Sequence, residues 1–346
     1  MEKIDIKSLN YEELQEQLKQ LGEKPFRAKQ IYEWLHVKLV DSFDEMTNVS
    51  KALRDKLAEH YDLIRVKEVA KRVSKDGSTS KFLFELYDKR VIESVLMKYK
   101  HGNSVCISSQ VGCRMGCRFC ASTLGGLERC LTASEMLDQI YQIQKISGER
   151  VSNVVVMGTG EPLDNYDNLV QFVRMLTDEH GLNISQRNIT VSTCGLCEKI
   201  KQLADEQLQI TLAISLHAPN DEKRKELMPV ANKYSIAQIM DACHYYYDKT
   251  GRRITFEYSL VKGVNDGMEQ ANELARLVKG LNCHINLIPV NPIKERDYAK
   301  SDMSFIQNFK NILEKKRINV TIRREMGSDI DAACGQLRKS YIDDNK

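Results

Sequence analysis

Three cysteines stand in Cys113-Arg-Met-Gly-Cys117-Arg-Phe-Cys120, a CxxxCxxC segment whose spacing is the sharpest chemical signal in the chain. Thiolates at short fixed intervals bind metals, and in a reducing compartment ten cysteines do not build a disulfide framework. Three thiolates on one loop can hold three irons of a [4Fe–4S] cubane and leave the fourth open. An open iron can take the amino and carboxylate groups of S-adenosylmethionine (SAM), and an electron from the cluster can then cleave a carbon–sulfur bond. The competing readings are a zinc loop or cysteines packed in the core. Structural zinc sites usually take four ligands in two CxxC-like pairs, and no second pair lies at knuckle distance.

A second cysteine, Cys334, sits in a Gly/Asp/Ala-rich tail without apolar periodicity. Packed cysteines keep apolar company, so Cys334 reads as a flexible, reactive thiol. Cys194-Gly-Leu-Cys197 is a CxxC pair with no further ligands in view and reads as incidental. Cys130, Cys243 and Cys283 stand in or beside apolar elements and read as core. By its position alone, Cys106 is also a core residue on a buried strand. Glu93 is polar inside an apolar strand, for which an exposed face is the ordinary explanation. Gly158-Thr-Gly160-Glu161 reads alone as a turn with a helix cap; on the chemical reading its glycines admit a ligand and Glu161 accepts from the SAM ammonium.

These residues need elements to hold them. Residues 1–75 read as a helical N-terminal domain, with Leu14, Leu18 and Leu21 at helical spacing and Ile31, Trp34 and Leu35 after Pro25. Its segment from Lys24 to Trp34 reads either as an RNA-stacking surface or as a helix with Ile31, Trp34 and Leu35 in the core. Residues 76–103 carry a β-hairpin turned at Asp88–Lys89. From 104 to 326, apolar runs at 105–108, 154–157, 189–192, 211–216, 254–260 and 285–289 alternate with amphipathic stretches. One of these opens with the capping box Thr132-Ala-Ser-Glu135. Such alternation predicts an α/β fold, a partial (β/α)6 barrel of parallel strands and right-handed crossovers, open because eight strands would be needed for closure. A seventh strand candidate at 319–323 precedes the tail, residues 327–346. A net charge of +3 permits an RNA partner without demanding one. No apolar run reaches the ~18 residues of a membrane span, and the N-terminus lacks a signal peptide, so the expected location is cytoplasmic.

The triad, with Phe119 before its last cysteine, resembles the radical SAM signature. Five further segments follow in order: Gly158-Thr-Gly160-Glu161-Pro162-Leu163, Val191-Ser192-Thr193, Ser215-Leu216-His217-Ala218-Pro219-Asn220, Asn286-Leu287-Ile288-Pro289-Val290-Asn291-Pro292, and Gly327-Ser-Asp-Ile-Asp-Ala-Ala-Cys334-Gly-Gln-Leu337. Together they look like the dual-specificity adenine-C2 RNA methyltransferases of the RlmN/Cfr family, over nearly the whole chain. Each segment before the tail lies at the C-terminal end of a predicted strand, where barrels carry their chemistry.

The resemblance implies a [4Fe–4S] cluster on Cys113, Cys117 and Cys120, and a SAM site at Gly160, Glu161, Ser192, Ser215, Leu216, His217 and Asn291. His217 would be a wall of that site rather than a base. It further implies Cys334 as methyl carrier, Cys106 as its transient disulfide partner and Glu93 as proton acceptor. Such an acceptor would help the ring regain aromaticity after radical addition. The chemistry agrees: carbon-2 of adenine is electron-poor and cannot displace the methyl of SAM, whereas a thiolate can. A radical made from a second SAM then activates the methyl group, so each turnover consumes two SAM molecules. Expected partners are 23S rRNA, tRNA and a flavodoxin- or ferredoxin-type electron donor, with a monomeric enzyme. Arg323 and Arg324 could approach the phosphates of a flipped nucleotide. Three rivals remain: a Cfr-like carbon-8 methyltransferase, disfavoured by Pro162 after the glutamate; a radical SAM enzyme acting on a small molecule; and a zinc-binding RNA protein.

Overall fold

The computed structural model describes residues 3–290, 298–324, 328–330 and 335–344. Its centre is a ten-stranded sheet whose strands lie side by side in chain order. They are β1 (Lys67–Val73), β2 (Thr79–Glu85), β3 (Val91–Tyr99), β4 (Gly102–Ile107), β5 (Val151–Val156), β6 (Ile189–Thr193), β7 (Thr211–Ser215), β8 (Ile254–Leu260), β9 (Cys283–Pro289) and β10 (Asn319–Ile322). The first four pair antiparallel, and β4 to β10 pair parallel. Six strand–helix units run from β4 to β9, and β10 adds the seventh parallel strand. The sheet ends at β1 and β10 without closing.

The apolar runs form strands because they are covered on both faces. β8 is buried at six of its seven positions, as a parallel strand packed between helices requires. The helix Ala133–Ser147 begins at Thr132, where the capping box forms: Thr132 Oγ1 accepts from the Glu135 N–H and Glu135 accepts from the Thr132 N–H. The hairpin turns where expected, with Lys89 at φ +68° and its N–H donating to the Leu86 carbonyl.

The N-terminal helices are α1 (Tyr11–Gln20), α2 (Phe26–His36) and α3 (Lys51–His60), which share a core of Leu14, Leu18, Ile31, Tyr32, Leu35, Leu53 and Leu57. The helical reading of residues 1–75 runs too far. Residues 67–73 are β1, an edge strand whose charged Lys67, Glu68, Lys71 and Arg72 hide the period-two pattern while protecting the edge from further pairing. Within the basic-aromatic segment, Ile31 and Leu35 are core and Trp34 is half-buried, while Lys24, Phe26 and Lys29 are exposed. The domain is bolted to the helix Ala133–Ser147, labelled α4, by a buried Lys7–Asp138 ion pair at 2.7 Å. A 2.7 Å hydrogen bond between His36 Nδ1 and the Tyr141 hydroxyl joins the same surfaces. No helix among the described residues is long and apolar enough to cross a membrane.

Candidate active site

The cysteine loop grows from the end of β4. Gln110–Gly112 pairs antiparallel with Leu127–Cys130, and residues 113–126 form the loop between them. Gly112 sits at φ +78°, where an added Cβ would fall 2.0 Å from the Gly126 carbonyl oxygen, so only glycine closes this neck. Within the loop the Cys113 N–H donates to the Gly126 carbonyl, and the Thr123 hydroxyl is placed against the carbonyls of Cys117 and Cys120. Arg118 N–H ties the loop to the Leu227 carbonyl across the mouth of the sheet.

Burial pushes the Cys113 thiol up to about 12, and Cys120, Glu161 and Asp164 add to the rise. Cys117 is raised by burial first, then by Cys120 and Cys113. The loop's thiols therefore sit within electrostatic reach of one another and resist ionising together until a cation compensates them, as a thiolate–metal site does. Among the described residues no three potential ligands converge on a single ion, and a cubane asks for no such convergence because each cysteine binds a different iron. The donor set fits an iron–sulfur cluster with three protein ligands.

Around the loop stand the strand ends. Ser192 Oγ and Ser215 Oγ lie 3.3 Å apart at the ends of neighbouring strands. The Leu216 side chain is wholly buried in the main core, so only its backbone can face a ligand. His217 sits at φ +57° with its Nδ1 accepting from the Ser259 N–H. Burial lowers its imidazole to about 3, so the ring is neutral, and it meets Phe119 edge to face at 4.8 Å.

The Gly158–Glu161 segment is packed closely against the rest of the chain: a Cβ on Gly158 would meet the Ile107 oxygen at 2.6 Å, and one on Gly160 would meet Gln110 Cβ at 2.6 Å. The Glu161 carboxylate is engaged by the chain as well. It accepts from the Leu163 N–H at 3.0 Å and the Cys194 N–H at 2.8 Å. Burial raises its pKa, against the lowering by these bonds and by those from the Thr193 and Cys194 side chains.

Cys194 was set aside in the sequence, yet it lies in an apolar cluster with Met115, Cys117 and Phe119. Its position directly after Ser192-Thr193, at a strand's C-terminal end, was the available signal. Cys197 goes to the main core instead. Arg224 was missed altogether because it hides in the charged run Asp221–Leu227. It is fully buried, donating to the carbonyls of Cys194 (2.6 Å), Leu216 (3.2 Å) and Ser215 (3.3 Å), and so draws the ends of β6 and β7 together.

Cys106 and Glu93 share one face of the antiparallel extension. Cys106 on β4 is directly opposite Val95 on β3, and Glu93, two residues from Val95, points to the same side. Glu93 is buried and paired with the wholly buried Lys81 at 3.2 Å. Its carboxylate also accepts from the backbone N–H groups of Gly335 (2.7 Å) and Arg338 (2.5 Å) at the start of the helix Gln336–Asp344, labelled α11. Gly335 touches the turn after Cys120: a Cβ there would meet the Ser122 nitrogen at 2.7 Å. Cys334 and Asn291 lie outside the described residues. Arg323 and Arg324 are exposed. A cleft of about 1010 Å³ lined by Lys29, Lys145, Arg150 and His180 lies towards the N-terminal ends of the parallel strands, away from this site.

Two family models match the chain. Residues 4–63 match the ribosomal RNA large subunit methyltransferase N-terminal domain, and residues 107–277 match the radical SAM superfamily. A probable dual-specificity RNA methyltransferase RlmN of Lachnoclostridium phytofermentans is 70% identical over 342 residues, covering 99% of this chain and 96% of that protein. The chain belongs to the RlmN family. Another RlmN relative, from Lachnospira eligens, is 68% identical over 340 residues, covering 98% of this chain and 97% of its own. The crystal structure of a radical SAM methyltransferase from Sphaerobacter thermophilus superposes with a TM-score of 0.92 at 43% identity, covering 96% of this chain and 98% of that one. The α/β radical SAM fold and the class of RNA methyltransferase follow from membership of the RlmN family.

Proposed function

We propose that the chain methylates carbon-2 of adenosine in 23S rRNA and in tRNA through an S-methyl intermediate on Cys334. The observation that carries this reading is the seating of Gly335, the covalent neighbour of Cys334. Its N–H bonds to Glu93 on the face that bears Cys106, and it packs against the turn following Cys120. The residue that follows Cys334, the Glu93 carboxylate, the sheet face of Cys106 and the cluster loop thereby belong to one neighbourhood.

When bound by Cys113, Cys117 and Cys120, a [4Fe–4S] cluster supplies the electron that cleaves SAM to its radical. The protein's own groups do the rest. The Cys334 thiolate displaces the methyl group of one SAM, releasing S-adenosylhomocysteine. Transfer of a hydrogen atom from that S-methyl group to the 5′-deoxyadenosyl radical of a second SAM would give 5′-deoxyadenosine and leave a carbon radical that adds to carbon-2, joining protein to RNA. Glu93 would accept the carbon-2 proton, with one electron returned to the oxidised cluster, as the ring regains aromaticity. Cys106 then attacks the Cys334 sulfur, the carbon–sulfur bond breaks, and the freed carbon takes a proton, which releases the methylated base and leaves a Cys106–Cys334 disulfide for the electron donor to reduce. Ser192, Ser215, Leu216, His217 and Asn291 would form the SAM wall, with Arg224 and Glu161 holding the strand ends that carry it. A flavodoxin- or ferredoxin-type donor, a monomeric enzyme and a cytoplasmic location complete the reading.

Two thiols acting at different steps give the test. Cys334→Ala should leave neither protein-bound methyl nor RNA product. Cys106→Ala should accept the methyl, add to RNA and stall. The stalled species should run as a slow, nuclease-sensitive band on a denaturing gel of protein expressed in cells. Normal turnover by Cys106→Ala would refute the mechanism. Mass spectrometry of nucleosides from RNA treated with the wild-type enzyme separates carbon-2 from carbon-8 methylation.

A further inference from the structure

We propose that Lys81 and Glu93 form a buried latch that seats the C-terminal helix, and that this latch must open before Glu93 can act as a proton acceptor. The inference rests on the proposed role of Cys334 for its purpose, and on the packing alone for its existence.

Among the described residues, Glu93 meets three donors from two directions. Lys81 Nζ approaches from the neighbouring strand, and the N–H groups of Gly335 and Arg338 approach from the tail. The first N–H groups of a helix have no partner within it, and a carboxylate there satisfies them while meeting the positive end of the helix dipole. Glu93 thus caps α11 from 242 residues away in sequence. The contact is reinforced on both sides. Leu337 packs on Leu83 and Val91 of the same sheet face, and Arg338 donates to the Val91 carbonyl at 2.8 Å and pairs with Glu128 at 2.5 Å. Gly335, at φ +83°, fits under Ser122 only because it has no side chain.

The role assigned to Lys81 runs through Glu93, with which it pairs. It is a positioning residue: wholly buried, it is the fixed counter-charge that holds the Glu93 carboxylate towards the tail. A buried carboxylate deprived of such a partner reorients or takes up a proton, and either change loosens α11. The seat anchors Gly335, the residue that follows Cys334 in the chain. It also engages both Glu93 oxygens with donors. Seating of the tail and proton acceptance by Glu93 are therefore alternating states, and departure of α11 frees the carboxylate.

The test is hydrogen exchange of the anaerobically reconstituted full-length enzyme, read on tail peptides against peptides from β5 to β9, together with alkylation of Cys334. In Lys81→Met the tail amides should exchange about tenfold faster or more, and Cys334 should alkylate faster. The barrel peptides and the SAM dissociation constant should not move. Gly335→Ala attacks the latch from the tail side and leaves the sheet intact, so it decides the matter if Lys81→Met does not fold. It should show the same phenotype, with little added when the two are combined. Wild-type exchange of the tail in Gly335→Ala, or in a folded Lys81→Met, overturns the latch. A wild-type enzyme that never carries methyl on Cys334, yet whose tail responds as described, overturns the methyl-cysteine reading and leaves the latch standing.

Discussion

Burial, and then the neighbouring Cys120, raise both Cys113 and Cys117, and a bound cation would favour their thiolates. Replacing Cys113, Cys117 or Cys120 singly by alanine should abolish cluster assembly, because each would supply a distinct iron ligand. Iron per chain after anaerobic reconstitution measures this, and full loading in all three variants would refute the assignment. Glu161→Gln should act differently. The amide keeps one acceptor oxygen but presents an NH2 group to one of two buried backbone N–H donors. An unsatisfied buried donor costs about 1–3 kcal/mol, so the variant should melt several degrees lower. Its iron content should stay normal while SAM binding weakens indirectly; an unchanged melting temperature would show that the carboxylate is not a strut. The structural bonds of Glu161 were not legible in the sequence, for a physical reason. Its residue type and its place at a strand end were legible, but its partner at position 194 is set by how β6 lies beside β5. Arg224 was illegible for a related reason: in a run of charges a buried cation looks like its solvated neighbours, and only the converging carbonyls distinguish it.

At the scale of elements, the parallel strands were legible because each is a short apolar run between amphipathic helices, and all seven runs became strands. What escaped was edge structure. β1 carries its charges in adjacent pairs, Lys67-Glu68 and Lys71-Arg72, and the ribbon of Gln110–Gly112 with Leu127–Cys130 is too short to show a period. The seat of α11 depends on contacts with strands far upstream, which no local pattern announces. The joint between α2 and α4 gives a pH prediction. Burial lowers His36 to about 3 from an ordinary 6.5, while the unfolded chain titrates at the ordinary value. Below pH 6.5 the unfolded state therefore binds the extra proton, and stability present above that pH is lost as pH falls towards 3. At pH 5 the loss from this histidine is about 2 kcal/mol. His36→Gln should start less stable at pH 7.5 but lose less on acidification, as urea unfolding at the two pH values would reveal. Equal pH slopes would mean that His36 is protonated in the fold.

Over the whole molecule, the helical N-terminal domain stands as an outrigger with Lys24, Phe26 and Lys29 exposed, fixed by Lys7–Asp138 and His36–Tyr141 rather than by a linker. If this surface meets phosphates, Lys24→Ala combined with Lys29→Ala should weaken tRNA binding and lower the slope of log affinity against log salt by about 1–2, with SAM binding unchanged. Fluorescence anisotropy across a salt series reads both, and an unchanged slope would leave these lysines as solvation only. The domain order from helices to extension to barrel could be read from changes of pattern, but the return of the tail onto the extension could not. That return ties completion of the enzyme to completion of its synthesis. Lys81 and Glu93 leave the ribosome early, whereas Gly335 and Arg338 come 242 and 245 residues after Glu93. At ~5–20 residues per second, the dock waits roughly 10–50 s for its occupant. A chain terminated before Gly335 can present all three cysteines of the loop and still leave this dock empty.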